Sequence, residues 1–305
     1  MTEETVPTIT TIVPPAEVKP AEANPGSVVS IIGPKVSLAS TMAKINKDKS
    51  IGGIAVPDYI KEESEQAEGL DMMGDMIVPN RLKVVQALSN DMKALGYAEG
   101  DVVVTPINVK VGDEANALDC VVLLSWAEYL IINPRGVSDL YWLRDRSTDP
   151  KSVIAMKARN RVKEVLPEGG VDPKTKQPYQ MEYVKAANFL VWLVDHNVAA
   201  IATFMKGEGK FGDAFASLIT SRGLAIYGGL YRLSCNTRTN KSGDKWKGLS
   251  AGNSEINQGF CPRNLLEPMK ELHRYYKEQW ANQNISVNYD DMSETEGTKV
   301  DTSEY

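Results

Sequence analysis

Alternation between apolar and polar positions divides the middle of the chain into short elements. Residues 102–111 are rich in β-branched side chains and alternate at their end, which is typical of a strand. The longer run 118–132 contains Val, Trp, Tyr and Ile, a composition that favours one or two strands over a helix. Two apolar runs within 181–205 are split by Asp195-His196-Asn197, which predicts two antiparallel strands joined by a turn.

The next segment combines a helix with a hairpin. Residues 211–222 show the apolar spacing of a short amphipathic helix, with Gly223 just beyond its end. A strand is predicted over 224–237, bent at Gly228-Gly229. A polar loop at 240–244 then returns the chain over 245–249.

Helical spacing also occurs near both ends of this region. It predicts helices over 150–166 and 262–281. It also predicts a helix over 81–96, which Ser89-Asn90-Asp91 could instead break in the middle. A short strand at 76–78 is stopped by Pro79, and 138–148 fits either a strand or a helix.

Many short strands and few helices predict an α+β, strand-centred domain over 76–281. One solution is an OB-like barrel elaborated by helices, and the other is a two-sheet sandwich. Residues 1–26 carry five Pro and are predicted to be disordered. We expect 27–75 to form an arm and an acidic linker, and 282–305 to form a disordered acidic tail.

The net charge of −6 hides an uneven distribution. Residues 77–287 hold 27 Lys and Arg against 22 Asp and Glu, a net charge of +5, whereas 288–305 hold six acids and one Lys, a net charge of −5. This asymmetry indicates either a nucleic-acid-binding body with an acidic tail or a solvated surface with a solubilising tail. The acidic N-terminus lacks the apolar core of a secretory signal and no long apolar run is present, so we expect a cytoplasmic protein without a membrane partner.

Signs of catalysis are few. The chain has only His196 and His273, and its three Cys form no CxxC pair, so we expect no metal site and no cofactor. The loop 205–210 lacks the first Gly of a phosphate-binding loop, since Phe204 stands there. We therefore predict a non-enzymatic protein.

Bases and aromatic rings are interleaved between 206 and 247. Eight Lys and Arg stand against three acids in this segment. Single-stranded nucleic acid is bound by cations along its phosphates and by flat rings under its bases. The candidate binding residues are Lys206, Lys210, Tyr227, Tyr231, Arg232, Arg238, Lys245, Trp246 and Lys247. The alternative is that the two Tyr pack the core and that the bases are scattered over the surface. A second group of bases over 144–163 is either a further binding cluster or the solvated face of a helix.

The tail 288–305 is acidic and ends on Glu304-Tyr305. It resembles the tails of bacterial and phage single-stranded-DNA-binding proteins, which compete with DNA for the basic groove and recruit replication partners. On that resemblance Asp290, Asp291, Glu304 and Tyr305 are candidate partner-binding residues.

A second resemblance covers residues 76–250. The pattern Ile77-Val78-Pro79-Asn80-Arg81-Leu82, followed by Gln86, Ser89 and Gly100-Asp101, is similar to bacteriophage proteins of replication and recombination gene sets. The stretches Ala214-Phe215-Ala216-Ser217 and Ile226-Tyr227-Gly228 are similar in the same proteins. The resemblance implies a phage DNA-binding protein in the host cytoplasm, whose tail binds phage replication or recombination proteins.

Three functions stay open at this point. The first is single-stranded nucleic-acid binding, and the second is a phage structural or assembly protein that contacts further subunits. The third is a metal-dependent nuclease with an acidic site, for which Asp119 and Glu128 are available. The pattern leaves homo-oligomer formation and the choice between DNA and RNA open.

Overall fold

The computed structural model describes residues 79–134, 143–173, 175–240 and 243–289. The predicted N-terminal tail 1–26, the arm and linker 27–75, the strand 76–78 and the four candidate partner-binding residues of the tail lie outside the described residues.

Within the described ranges, ten strands and four helices make an α+β fold. The strands are β1 Asn80–Val84, β2 Val102–Thr105, β3 Val109–Gly112, β4 Leu118–Ile132, β5 Leu143–Ser147, β6 Lys163–Val165, β7 Gln180–Leu193, β8 Val198–Met205, β9 Leu230–Thr239 and β10 Lys245–Asn253. The helices are α1 Asn90–Ala94, α2 Val153–Arg159, α3 Gly209–Ser221 and α4 Arg263–Ala281. Short 3-10 helices occur at Lys206–Glu208, Ile226–Gly228 and Ile256–Gly259. No described helix is both long enough and apolar enough to cross a lipid bilayer.

The described strands form one sheet rather than two packed sheets. Its order is β10-β9-β4-β7-β8-β1-β2-β3, with β5 added beside β4 and β6 beside β7. Neighbouring strands are antiparallel except for β1 and β8, which run parallel over Asn80 and Arg81.

Both faces of the sheet are buried. Successive side chains of β7 point to opposite faces. Phe189 lies on one face, where it packs against Phe215 of α3. We call this the concave face because its core joins residues from both ends of the sheet, such as Val111 and Leu249. Trp192 lies on the convex face, in a core shared with Leu272 of α4. Helix α2 covers part of the concave side through contacts with Tyr183.

The sheet curls until its two ends meet. The side-chain amide of Gln86, just after β1, donates to the Lys247 carbonyl (2.8 Å) and accepts from the Lys247 N–H (2.9 Å). One side chain thus makes the two main-chain hydrogen bonds that a neighbouring strand would make. Glu114, just after β3, adds an ion pair to the Lys247 ammonium (2.7 Å).

Several predicted elements are confirmed. They are the strand 118–132, the antiparallel pair within 181–205, the helix beginning near 211, the hairpin of β9 and β10, and the helix over 262–281. The ambiguous segment 138–148 holds a strand, β5, in its described part.

The helix predicted over 81–96 is wrong. Leu82 and Val84 alternate with Arg81 and Lys83, so the period is that of a strand, β1. The Ser89 hydroxyl then accepts from the Gln86 N–H (3.0 Å) and holds a turn, which leaves only the five-residue helix α1.

Three other predicted elements have different bounds. The helix predicted over 150–166 ends at Arg159, and 163–165 form β6. Residues 102–111 hold two strands, β2 and β3, joined by a turn with a cis Thr105-Pro106 bond. The strand predicted over 224–237 begins only at Leu230, after a 3-10 turn.

The boundary predicted at 281 is also wrong. Ile285, Val287 and Tyr289 are buried on the convex face, although this stretch was predicted to belong to a disordered tail. The guanidinium of Arg81 donates to the carbonyl of Asn288. The packed domain therefore includes the segment 285–289, and the acidic part of the tail begins after it.

Candidate nucleic-acid interface

The end of β8, the start of α3 and the β9–β10 hairpin bring many of the predicted binding residues together. Trp246 and Arg238 are directly opposite each other in the hairpin register. The 3-10 turn Lys206–Glu208 lies beside them, and the ring of Trp246 passes close to Gly207. A Cβ on Gly207 would lie 3.5 Å from the Trp246 ring.

Five side chains form what we call the Phe211 cluster: Glu208, Lys210, Phe211, Arg238 and Trp246. The Arg238 guanidinium carbon lies 3.4 Å from the centre of the Phe211 ring, and the Lys210 ammonium lies 4.9 Å from the same centre. Each of these cations is attracted to the ring because the face of the ring is electron-rich. Lys210 is exposed, whereas Phe211 and Trp246 are half-buried.

Glu208 holds this cluster together from beneath. Its Oε1 accepts from the Trp246 indole N–H (2.7 Å) and lies 3.7 Å from Arg238 Nε. Its Oε2 is buried without a hydrogen-bond partner among the described residues. The carboxylate lies directly over Gly248, where a Cβ would come within 2.5 Å of Oε2. Only glycine leaves room for the carboxylate at that position.

Burial raises the pKa of Glu208 above the ordinary value of a glutamate. The hydrogen bond from Trp246 and the positive charges of Arg238 and Lys210 lower that pKa and oppose the effect of burial. The cluster is therefore a partly desolvated site in which one acid is surrounded by donors and cations.

Four of the six predicted phosphate-binding bases already have acidic partners. The pairs are Lys206 with Glu182 (3.9 Å), Arg232 with Asp119 (3.3 Å), Arg238 with Glu208 (3.7 Å) and Lys247 with Glu114 (2.7 Å). Arg232 also lies 3.5 Å from the exposed carboxylate of Glu255. Lys210 and Lys245 are exposed and pair with no carboxylate in the described part of the chain. They are the predicted bases best placed to meet a phosphate.

Tyr231 is not a stacking residue. Its side chain is 1% exposed and packs edge-on against Phe215 in the concave core, so no base can reach it. Tyr227 was expected on the same face, but it belongs to the convex core and packs against His273. The 3-10 turn at 226–228 breaks the strand alternation that the expectation assumed. Among the predicted rings, Trp246 lies in the Phe211 cluster and remains partly open to solvent.

The two carboxylates available for a nuclease site have partners within the fold. Asp119 pairs with Arg232, and Glu128 is buried under Trp126 and Tyr289. No three His, Cys, Asp or Glu side chains within the described ranges come together as a metal site requires. Burial raises the pKa of Cys235 and that of Cys261 to about 11, so both thiols are protonated at neutral pH.

Sequence reasoning missed three participants. Glu208 was counted only as one of the few acids among many bases, although it organises the cluster. Phe211 lies within the segment 206–247 but is not among the candidate binding residues. Arg222 is one of the eight bases between 206 and 247 but not a candidate binding residue. Its contact with Phe260 could not be predicted, because Phe260 lies in a loop 38 residues later.

The comparisons with known proteins add no relative. No family model, no curated protein and no solved structure matches the chain.

Proposed function

We propose that this protein binds single-stranded nucleic acid through the Phe211 cluster and the exposed lysines beside it. The observation that carries the proposal is the stacking of the Arg238 guanidinium on Phe211 at 3.4 Å, next to a partly open Trp246. Lys210 and Lys245 lie on the same elements and have no acidic partner among the described residues. Single strands are bound by this combination of rings and cations.

The curled sheet supports the same proposal. OB-like barrels bind oligonucleotides across a curved, partly open sheet with loops at its rim. The present sheet has ten strands instead of five, and Gln86 closes it. We propose an OB-like use of the sheet, with the rim between α3 and the β9–β10 hairpin as the binding surface.

The wider role follows from the sequence. A DNA-binding role in phage replication or recombination, in the host cytoplasm, agrees with the resemblance over 76–250. The acidic residues from Asp290 onward would bind partner proteins of that process. A structural or assembly role is the competing proposal, and it predicts contacts between subunits in place of oligonucleotide binding.

The test is a titration of fluorescein-labelled oligo-dT, followed by anisotropy at several salt concentrations. Binding should weaken as salt rises because counterions are released from the strand when cations neutralise phosphates. In the variant Lys210→Ala/Lys245→Ala, the slope of log K against log salt should fall by about 1.4, since each phosphate contact to a single strand contributes about 0.7.

A matched control is Lys277→Ala, an exposed lysine on α4 that also has no acidic partner among the described residues. It should leave the slope unchanged. If the unsubstituted protein binds no oligo-dT at low salt, the proposed function is wrong. A change of equal size in the control would show nonspecific charge attraction and would remove the Phe211 cluster from the interface.

A further inference from the structure

A second contact between a cation and an aromatic ring lies at the other end of α3. Arg222 follows the last turn of this helix, and its guanidinium carbon lies 4.8 Å from the ring centre of Phe260 and 5.6 Å from that of Tyr231. Tyr231 is buried, but the Phe260 side chain is 45% exposed. Arg222 therefore contacts one ring that is fixed in the core, Tyr231, and one ring that is open to solvent, Phe260.

Arg222 differs from most bases of the interface in its partners. It donates to the side-chain oxygen of Asn253 (3.2 Å) and lies 3.4 Å from the Gln258 carbonyl, both of which are neutral. No carboxylate pairs with it among the described residues. Its positive charge thus stays uncompensated, in contrast to those of Arg232, Arg238 and Lys247.

The loop that carries Phe260 has an unusual backbone. Asn257, Gln258 and Gly259 all adopt positive φ angles, of 46°, 54° and 75°. Left-handed conformations are rare for consecutive residues other than glycine, and they are most common where function maintains them. A Cβ on Gly259 would lie 2.9 Å from Arg222 Nη1, so the loop rests directly on the guanidinium.

The residues around Phe260 fix its position. Gly229 forms a β-bridge with Phe260, and the Cys261 N–H donates to the Gly228 carbonyl (3.0 Å). The Asn257 side-chain amide donates to the Phe260 carbonyl (3.1 Å). An exposed aromatic ring on a fixed backbone loses little conformational freedom when it binds a flat partner.

We propose that Arg222 and Phe260 form a second nucleotide-binding position for the same single strand that the Phe211 cluster binds. The guanidinium would contact a phosphate, and the Phe260 ring would stack on a base. This proposal rests on the proposed function. Nucleic acid is favoured over a protein partner because the cation is uncompensated and the ring-and-cation pair repeats the chemistry of the first cluster.

Helix α3 sets the distance between the two positions. Lys210 and Arg222 are twelve residues apart, which corresponds to about 18 Å along a helix. Both ends of α3 lie beside the hairpin, with Arg238 near the first and Tyr231 near the second. A strand along this rim would meet both positions within a binding site of about four nucleotides or a little more, the lower end of the range for OB folds.

The experiment compares Arg222→Gln, Arg222→Lys and Phe260→Ala in the full chain with fluorescein-labelled oligo-dT. Arg222→Gln should lower the salt slope by about 0.7, and Arg222→Lys should restore it because the charge returns. Phe260→Ala should weaken binding by about fivefold to 160-fold without changing the slope, since stacking carries no charge. Ile107→Ala, at an exposed apolar position in the turn between β2 and β3, is the control and should bind normally.

The outcomes separate the two proposals. If the unsubstituted chain binds oligo-dT and all three variants keep its affinity and its salt slope, the second position is wrong and the proposed function stands. No binding by the unsubstituted chain overturns both. If Phe260→Ala instead abolishes self-association in sedimentation velocity and leaves oligo-dT affinity intact, the surface binds protein and the proposal is wrong. Melting temperatures identify a variant that loses affinity because it unfolds. In that case Arg222→Lys decides whether the charge at position 222 contributes to binding, because this variant keeps the cation.

Discussion

Replacing Tyr289 by Phe should destabilise the protein through loss of one hydroxyl. Tyr289 is fully buried, and its hydroxyl donates to Glu128 Oε2 (3.0 Å). The Tyr289 hydroxyl oxygen also accepts from the side-chain amide of Asn188 (2.8 Å), whose carbonyl oxygen accepts from the Thr203 hydroxyl (2.8 Å). The variant keeps the ring and removes the group at the centre of this buried network.

The magnitude follows from what the substitution leaves behind. Asn188 is completely buried, so its N–H group finds no water in place of the lost oxygen. Glu128 is 2% exposed and keeps one donor, the Trp126 indole N–H (2.9 Å). An unsatisfied buried group destabilises by about 1–3 kcal/mol, and no cavity forms because the ring remains. We expect a loss of about 2 kcal/mol.

Urea denaturation measures this loss. With a slope of about 2 kcal/mol per molar urea, the midpoint should fall by about 1 M at unchanged slope. The matched control is Tyr227→Phe, since the half-buried Tyr227 hydroxyl makes no hydrogen bond with any described residue. Equal midpoints for Tyr289→Phe and the unsubstituted protein would refute the packing of the segment 285–289 against the convex face.

Three other substitutions test separate features. Gln86→Ala should lower the free energy of unfolding by about 1–3 kcal/mol in urea, because the N–H and C=O of Lys247 lose their partners at the closure of the sheet; an unchanged value would deny the closure. Gly212→Ala should lower the melting temperature, although Ala normally favours a helix, because its Cβ would lie 2.7 Å from that of Phe204; a more stable variant would contradict the close packing of α3. As the pH rises from 4 to 7, the unsubstituted protein should lose stability relative to Glu208→Gln. The raised pKa of Glu208 means that the folded state holds the proton more tightly than the unfolded state, so deprotonation costs the folded state more. Parallel profiles of stability against pH for the two proteins would contradict this.

The sequence pattern predicted those strands and helices whose limits depend on residues close to them in sequence. The pair β7 and β8 shows two apolar runs with polar turn residues between them, and α3 shows helical spacing that ends before Gly223. In both cases the pattern is complete within about 25 residues. The fold class follows from such elements, whereas their order in one curled sheet depends on pairings that no local pattern contains.

The remaining features of the candidate site depend on contacts with residues that are distant in sequence. Lys247 and Arg232 look like free bases in the sequence, but Glu114 and Asp119 neutralise them from positions more than 100 residues earlier. Tyr231 is buried because Phe215 packs on it from α3. The apolar alternation in 285–289 was a usable signal, and the acids that follow it concealed the signal.

The closure by Gln86 and the contacts of the segment 285–289 also affect how the chain folds. Gln86 meets a residue 161 positions later, Arg81 meets one 207 positions later, and Asn188 meets one 101 positions later. Contacts between residues so distant in sequence require large loops to close before they stabilise anything, and proteins dominated by them fold slowly. Strand β1 pairs along Arg81–Val84 with the nearby β2, but its partner on the other side is the distant β8, over Asn80 and Arg81, and the Arg81 side chain donates to the carbonyl of Asn288. During refolding we therefore expect the amides at the contact between β1 and β8 to gain protection from hydrogen exchange later than those of the β9–β10 hairpin, whose strands need only a local turn.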